Sequence, residues 1–505
     1  MTTAFEIWAG RRSWRLIYTA ELTVARKSDG LEMTIHLATQ GGQWDAAHNW
    51  RPYLVAPPRI RSRAQGVTGQ SSLINYGSLG LALPRGRAVD SDGLISSDRL
   101  LADYTFEGRP VVIRAGGPGL AWADWWTLIC VMGQPEWDNL EASIPISGRT
   151  AELADKQVPP NLYEEGGTIP EATVGKAKPV VLGYCRNIEP VLIDEARHLY
   201  QFHDPVQGPV QAVEAVRDKG LLKTSGYTLD LAQGTIALGA KPAGTLTLDV
   251  RGQISTPLGG YIQTPGGLVQ ELLRAFGGAA NGEIDAAAFA AYDLVTPWTA
   301  GIYLTRQVTI KQAIDALLTG LLSIFSDRRD GRWSLRRLED LDGEPDLVIT
   351  EDMILRDSYR HRPDTNSPAW KVTIEGRRNW TVIGNPADGV SEADRAWLGQ
   401  QWQTRSASNA AIKSLYPKAK ELGPHQTYLT ETADLEALAA RWLSIYSQER
   451  GEDTFTTKLR AMTLEMGDLV QVIRRRHGMD DGKLFRVIGQ EEDHQSRRIK
   501  PELWG

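Results

Sequence analysis

A two-residue apolar rhythm returns along this chain, each time closed by glycine, proline or Asp-Gly. Leu31, Met33, Ile35 and Leu37 alternate with mostly polar neighbours, as do Tyr227, Leu229 and Leu231, then Leu246, Leu248 and Val250. Successive side chains of a strand point to opposite faces, so this spacing specifies strands with one buried face. Residues 111–114 add a short apolar strand before the turn Gly116-Gly117-Pro118-Gly119. The run TLICVMG, preceded by Trp122, Trp125 and Trp126, reads as a strand buried on both faces. Ala142, Ile144 and Ile146 alternate next. From Pro57 to about Asp98 the periodicity fails, and this Gly-, Ser- and Arg-rich stretch reads as a long loop or extended arm. The expected fold is mainly β and multidomain.

The period changes in the middle of the chain. Leu268, Val269, Leu272, Leu273 and Phe276 share one helical face after Pro265, and Gly277-Gly278 stops that helix. Thr309 is placed to cap a second helix bearing Ile310, Ile314, Leu317, Leu318 and Leu321. Asp330-Gly331 marks a hairpin turn. Ser391 with Asp394 opens a short helix, and Thr432 precedes a helix with Leu435, Leu438, Ala439, Trp442, Leu443 and Tyr446 on one stripe. The end returns to strands, with Gly467-Asp468 as the turn into LVQV. Residues 156–178 carry Pro, Gly and charge with little apolar content, and read as a linker.

At roughly 100–200 residues per domain, 505 residues make about three or four domains. The divisions follow the pattern changes: 1–160, an N-terminal β domain; 161–255, linker and small β module; 256–370, an α+β module; 371–505, a C-terminal β domain with two helices. With 42% hydrophobic residues the chain can bury real cores. Tryptophan (16) outnumbers both tyrosine (15) and phenylalanine (8); any single indole reads first as core filler, while sixteen in one chain add weight to extensive subunit contact, because indoles are enriched at interfaces. A net charge of −6 argues against general nucleic-acid binding, though not against a conduit through which DNA passes without sticking. Cys130 and Cys185 sit in apolar runs without CxxC spacing, so buried free thiols are expected, with a disulfide as the minor alternative. The N-terminus lacks a signal-peptide pattern, and the longest apolar run is too short to span a bilayer, so no membrane insertion by this chain alone is expected.

A search for chemistry finds no HExxH, GxSxG, P-loop or strand-borne GxGxxG. His198, His203 and Asp204 in RHLYQFHD are the nearest to a metal set, but a metal would need further converging ligands, and a structural turn is the plainer reading. Glu164-Glu165 and Glu491-Glu492-Asp493 could in principle serve glycoside hydrolysis, yet lie in polar contexts that read as solvated surface. The Gly116 to Gly119 loop reads as a tight turn rather than a phosphate cradle. Arg474-Arg475-Arg476 reads as a strand end or an inter-subunit ion pair before it reads as a DNA contact. No catalytic, cofactor-binding or metal site is assigned, and no cofactor is expected.

Three stretches together carry a resemblance: KPVVLGYCRNIEPVLID followed by LYQFHD and VEAVRDKG; GYTLDLAQGTIALGAKPAGTLTLDVRG; and LEMGDLVQVIRRRHGMDDGKLFRVIGQEED. Their order is similar to that in the tail-tip and baseplate hub proteins of long-tailed bacteriophages and gene transfer agents, from about residue 176 to the end, with residues 1–150 matching less clearly. The resemblance implies tail-tube-like β domains, at 1–160 and 371–505, with a helical module between them. It implies a structural, non-enzymatic subunit that forms a ring around the DNA channel, in most such proteins as a homotrimer. The partners it implies are copies of itself, the tail tube or distal tail protein, other tail-tip and receptor-binding proteins, the tape measure protein, and genomic DNA only in transit. The implied location is the tail tip of a virion assembled in the host cytoplasm. The alternatives are a tail-associated cell-wall hydrolase, which needs a carboxylate pair or metal cluster on a concave face, and a carbohydrate-binding adhesin, consistent with the abundant tryptophan.

Overall fold

The computed structural model describes residues 3–11, 15–64, 70–71, 73–83, 97–338 and 341–505. Strands dominate, and the chain is multidomain and mainly β.

The first sheet runs in the order Glu32–Ala38, Ile17–Arg26, Pro110–Gly116, Trp126–Met132, Glu141–Ser147, Ser78–Ala82, Leu54–Ala56. Every pair in it is antiparallel. The sheet curls back on itself. Ala38 N–H donates to the Arg51 carbonyl at 2.6 Å and Arg51 N–H to that of His36 at 3.2 Å, so the chain entering one edge strand touches the other edge. Leu22, Ile35, Leu81, Ile113, Leu128 and Ile144 fill the interior. The alternation of residues 31–37 is therefore a strand with one buried face. Trp126–Met132 differs from its expected two-sided burial. Trp126, Leu128, Cys130 and Met132 are buried while Thr127, Ile129 and Val131 are half-buried, because the strand lies in a curled sheet with one inner face. Both cysteines are free and buried.

The stretch from Pro57 to Asp98 is not a loop where it is described. Arg59–Arg63, Leu73–Asn75 and Ser78–Ala82 are strands, and residues 65–69, 72 and 84–96 lie outside the described residues. Arg59–Arg63 leaves the curled sheet and pairs antiparallel with residues 489–493 of the Met479–Asp493 strand. Ile60 faces inward at 4% exposure while Arg59, Arg61 and Arg63 face water, which left too little apolar content for the pattern to be read as a strand. The sheet it joins runs Leu347–Thr350, Leu469–Arg474, Met479–Asp493, Arg498–Trp504, Gly451–Thr454, Arg360–Pro363. One continuous core, from Trp8, Val111 and Ile144 to Ile349, Phe455, Val472 and Leu503, lies between this sheet and the curled one.

Two further bodies complete the chain. Val180–Ile188, Leu246–Ser255 and Val210–Asp218 form the centre of one sheet, and Val191–Asp194, Leu199–Gln201, Thr235–Leu238 and Tyr227–Asp230 form a second. Their inner faces share Cys185, Val216, Leu248, Phe202 and Ile236, making a small sandwich. The other body is α+β. The helix Pro265–Glu271 ends in a widened turn through Phe276, and Ile310–Leu318 starts at Thr309, whose side chain accepts from Gln312 N–H in a capping box. Thr432–Tyr446 lays Leu435, Leu438, Ala439 and Trp442 onto the sheet Gln403–Ser408, Ala369–Gly376, Lys420–Gln426. The 156–178 segment is irregular yet docked, since Tyr163 Oη donates to Gln201 Oε1 at 2.7 Å.

Candidate functional site

The carboxylates and histidines singled out in the sequence do not converge. His203 is fully buried, and its Nδ1 accepts from Val181 N–H at 3.2 Å. Burial pushes it down to about 4, so it is neutral at pH 7. Asp204 takes Asn161 Nδ2 at 2.7 Å and Val206 N–H at 3.2 Å, while His198 sits at φ +47° in the preceding turn. His203 thus ties its segment to the strand Val180–Ile188, and Asp204 caps the short turn Pro205–Gln207. Among the described residues no three His, Cys, Asp or Glu side chains come within reach of one metal ion, and no helix is long and apolar enough to cross a membrane.

Glu164 and Glu165 are exposed, as is Glu491. Glu492 is not solvated surface: strand alternation turns it inward, to 3% exposure. There Arg329 Nη2 lies 3.0 Å from its Oε1, and His494 Nε2 lies 3.1 Å from its Oε2. Arg474 lies over the Tyr359 ring at 4.3 Å, which leaves Arg475 and Arg476 exposed at the strand end. The Gly116 turn is steric in origin: a Cβ there would stand 2.3 Å from the Trp125 ring.

A concave feature large enough to receive a partner is a cleft of about 1200 Å³ between the sandwich and the α+β body. Its wall is the edge strand Gly301–Leu304 and its continuation through Val308. Its floor is aromatic. Trp380 stacks on Tyr428 with centroids 5.7 Å apart, and Tyr303 meets Trp380 edge-on at 6.0 Å. Arg378 lies 4.1 Å above Trp380 and 5.1 Å from Trp402, and donates to Tyr428 Oη at 3.0 Å. The segment bearing Arg378 and Trp380 is held by the sandwich. Asn187, at φ +55°, turns the strand end so that its carbonyl accepts from Thr381 N–H at 3.0 Å. Sequence reasoning missed this site because its parts lie near residues 303, 378, 402 and 428. The only local signal was RRNW, an arginine two residues before a tryptophan.

The guanidinium stack should be energetically visible. Arg378→Ala is expected to lower stability by about 1–2 kcal/mol, the size of a partly desolvated cation–π contact, and Arg378→Lys to recover only part of it. Urea titration of the full chain reads this directly; unchanged midpoints for both variants would mean the stack contributes nothing.

No family model matches the chain, and no curated protein matches it. Among solved structures, a tail protein of Neisseria meningitidis MC58 aligns with 97% of this chain and 96% of its own, at 9% identity and TM-score 0.41. A chain of the native gene transfer agent virion aligns over 71% of this chain and 91% of its own, at 14% identity and TM-score 0.43. A prophage tail protein of Listeria monocytogenes EGD-e aligns over 97% and 94%, at 8% identity and TM-score 0.37.

Proposed function

We propose that the chain is a structural subunit of a phage-type tail, a tail-tip or baseplate hub that assembles with copies of itself into a ring around the DNA channel, as a trimer. In this reading the curled N-terminal sheet and the C-terminal sheet are the two tube-like units of each protomer. The sandwich and the α+β body stand outside the ring, where they meet neighbouring tail-tip and receptor-binding proteins. The observation that carries the reading is the pairing of the strand at residues 59–63 with residues 489–493 of the C-terminal sheet, over one undivided core. It fuses the two β bodies into a single rigid block, which is what a load-bearing ring segment requires and what a hinged enzyme cleft does not. A second support is where the resembling stretches fall. VVLGYCRNI, LTLDVRGQIS, LVQVIR and the FRVIGQEED portion of the long strand are central or near-central strands of two sheets, so the likeness lies in the scaffold.

Purified full-length chain, measured by light scattering and negative-stain microscopy, is expected to give closed rings or trimers. A stable lone monomer that turns over peptidoglycan in a zymogram would overturn the proposal.

A further inference from the structure

The hairpin that joins Glu136–Trp137 to Glu141–Ser147 ends in an exposed apolar pair. Trp137 is 62% and Leu140 64% exposed. The tip is a rigid turn, because Asp138 Oδ1 accepts from the N–H groups of Leu140 at 2.8 Å and Glu141 at 2.9 Å. Around the pair stand three exposed carboxylates, Glu136, Asp138 and Glu141. An ordered, acid-rimmed indole is an expensive thing to leave in water, and Trp is the residue type most enriched at interface centres.

The cleft described above is its chemical complement. It has an aromatic floor at Trp380 and Tyr428, and it carries Lys176, Arg306 and Arg378 against one acid, Glu189. Among the described residues Lys176 and Arg306 make no ion pair. Its volume, about 1200 Å³, exceeds the roughly 300–1000 Å³ of a small-molecule pocket and suits a polypeptide tip.

We infer that the Trp137–Leu140 hairpin of one copy docks in the Trp380/Tyr428 cleft of a second copy of this chain. The inference rests on the self-assembly reading and names one contact within it, from the curled sheet of one copy to the outer sandwich and α+β bodies of the next. Hairpin and cleft are different surfaces, so the contact is head-to-tail, the kind that generates a ring when the rotation closes. The acids and bases set register and exclude the like-on-like pairing of two hairpins or two clefts. Because the turn is already ordered, docking costs little conformational entropy.

The test uses full-length chain carrying either Leu140→Cys or Thr305→Cys, both at exposed positions, with Cys130 and Cys185 buried and silent. Under mild oxidation the mixture of the two is expected to give a disulfide-linked dimer that neither forms alone. Trp137→Ala is expected to weaken association in sedimentation at least tenfold, with unchanged circular dichroism. If the wild-type chain assembles but the mixture does not cross-link and Trp137→Ala assembles normally, this interface is wrong while the hub reading stands. A Leu140→Cys homodimer would likewise overturn the interface alone. A wild-type chain that stays monomeric at all concentrations overturns both.

Discussion

Arg329→Ala is expected to cost about 3–5 kcal/mol of folding stability at pH 7, the penalty for leaving one member of a buried ion pair uncompensated. Arg329 sits in the turn after Ser323–Asp327 and touches every large β body at once. Its carbonyl accepts from Ile129 N–H of the curled sheet at 2.8 Å, and its guanidinium stacks 5.3 Å from the Trp126 ring. It also donates to the carbonyls of Met462 and Leu464, and pairs with Glu492 at 3.0 Å. Burial alone would raise the Glu492 carboxyl, yet Arg329 and His494 hold it below the ordinary range. A carboxyl depressed by folding contributes stability above its unfolded value of about 4.3, and the contribution is lost as pH falls through the lower folded value. Without Arg329, burial raises the Glu492 carboxyl, so the Arg329→Ala deficit should be full at pH 7 and shrink as pH falls towards 4, the orphaned Glu492 taking up its proton at a higher pH than in the wild-type chain. Urea titrations at pH 7 and pH 4 measure both ends. An Arg329→Ala chain with the wild-type midpoint at pH 7 would refute the assignment.

Asp327→Asn is expected to act in the opposite direction, raising stability at pH 7 by about 1–3 kcal/mol. Asp327 is 9% exposed, and burial pushes its carboxyl up to about 6 from an ordinary 3.8. Thr150 N–H at 3.0 Å and the Thr150 hydroxyl favour the ionised form without cancelling the burial cost. The difference of about 2 pH units corresponds to roughly 3 kcal/mol, since one unit is worth about 1.4. Here the folded value lies above the unfolded one in an acid. Stability is fully present below about pH 4, declines as pH rises to about 6, and stays low beyond. An amide keeps an oxygen for Thr150 and removes the charge, so the gain should appear at pH 7 and vanish at pH 4. Thermal melts at the two pH values read it, and a loss of stability at pH 7 would show that the carboxylate charge is needed. The seat also explains a glycine. A Cβ on Gly148 would stand 1.9 Å from Asp327 Oδ2, so any other residue there would displace the carboxylate.

Local pattern carried the chain's elements further than its assembly. The caps at Thr309 and Ser391, the turn at Asp330-Gly331 and the stripe from Leu435 to Tyr446 all depend on neighbours within a few residues, and each is where the sequence placed it. The helix Ala286–Val295 was not foreseen, although Asp285 caps it by accepting from Ala288 N–H at 3.2 Å; its alanines gave no apolar stripe to see. Glu492 and Arg329 were illegible for a different reason. Each is an ordinary charged residue in a polar stretch, and only the packing of distant sheets makes them a buried pair. The cleft likewise draws on segments more than a hundred residues apart, so no window of sequence contains it.

The pairing of residues 59–63 with 489–493 sets an order on biogenesis. Arg59 and Asp493, joined at 2.7 Å, are separated by 434 positions. At about 5–20 residues per second, the ribosome needs roughly 20–90 s after making the first strand before its mate exists. Throughout that wait the nascent arm offers open backbone groups to any passing strand. Three arginines in five positions are the kind of charge that blunts such an edge, since like charges brought side by side disfavour the pairing of one copy's arm with another's.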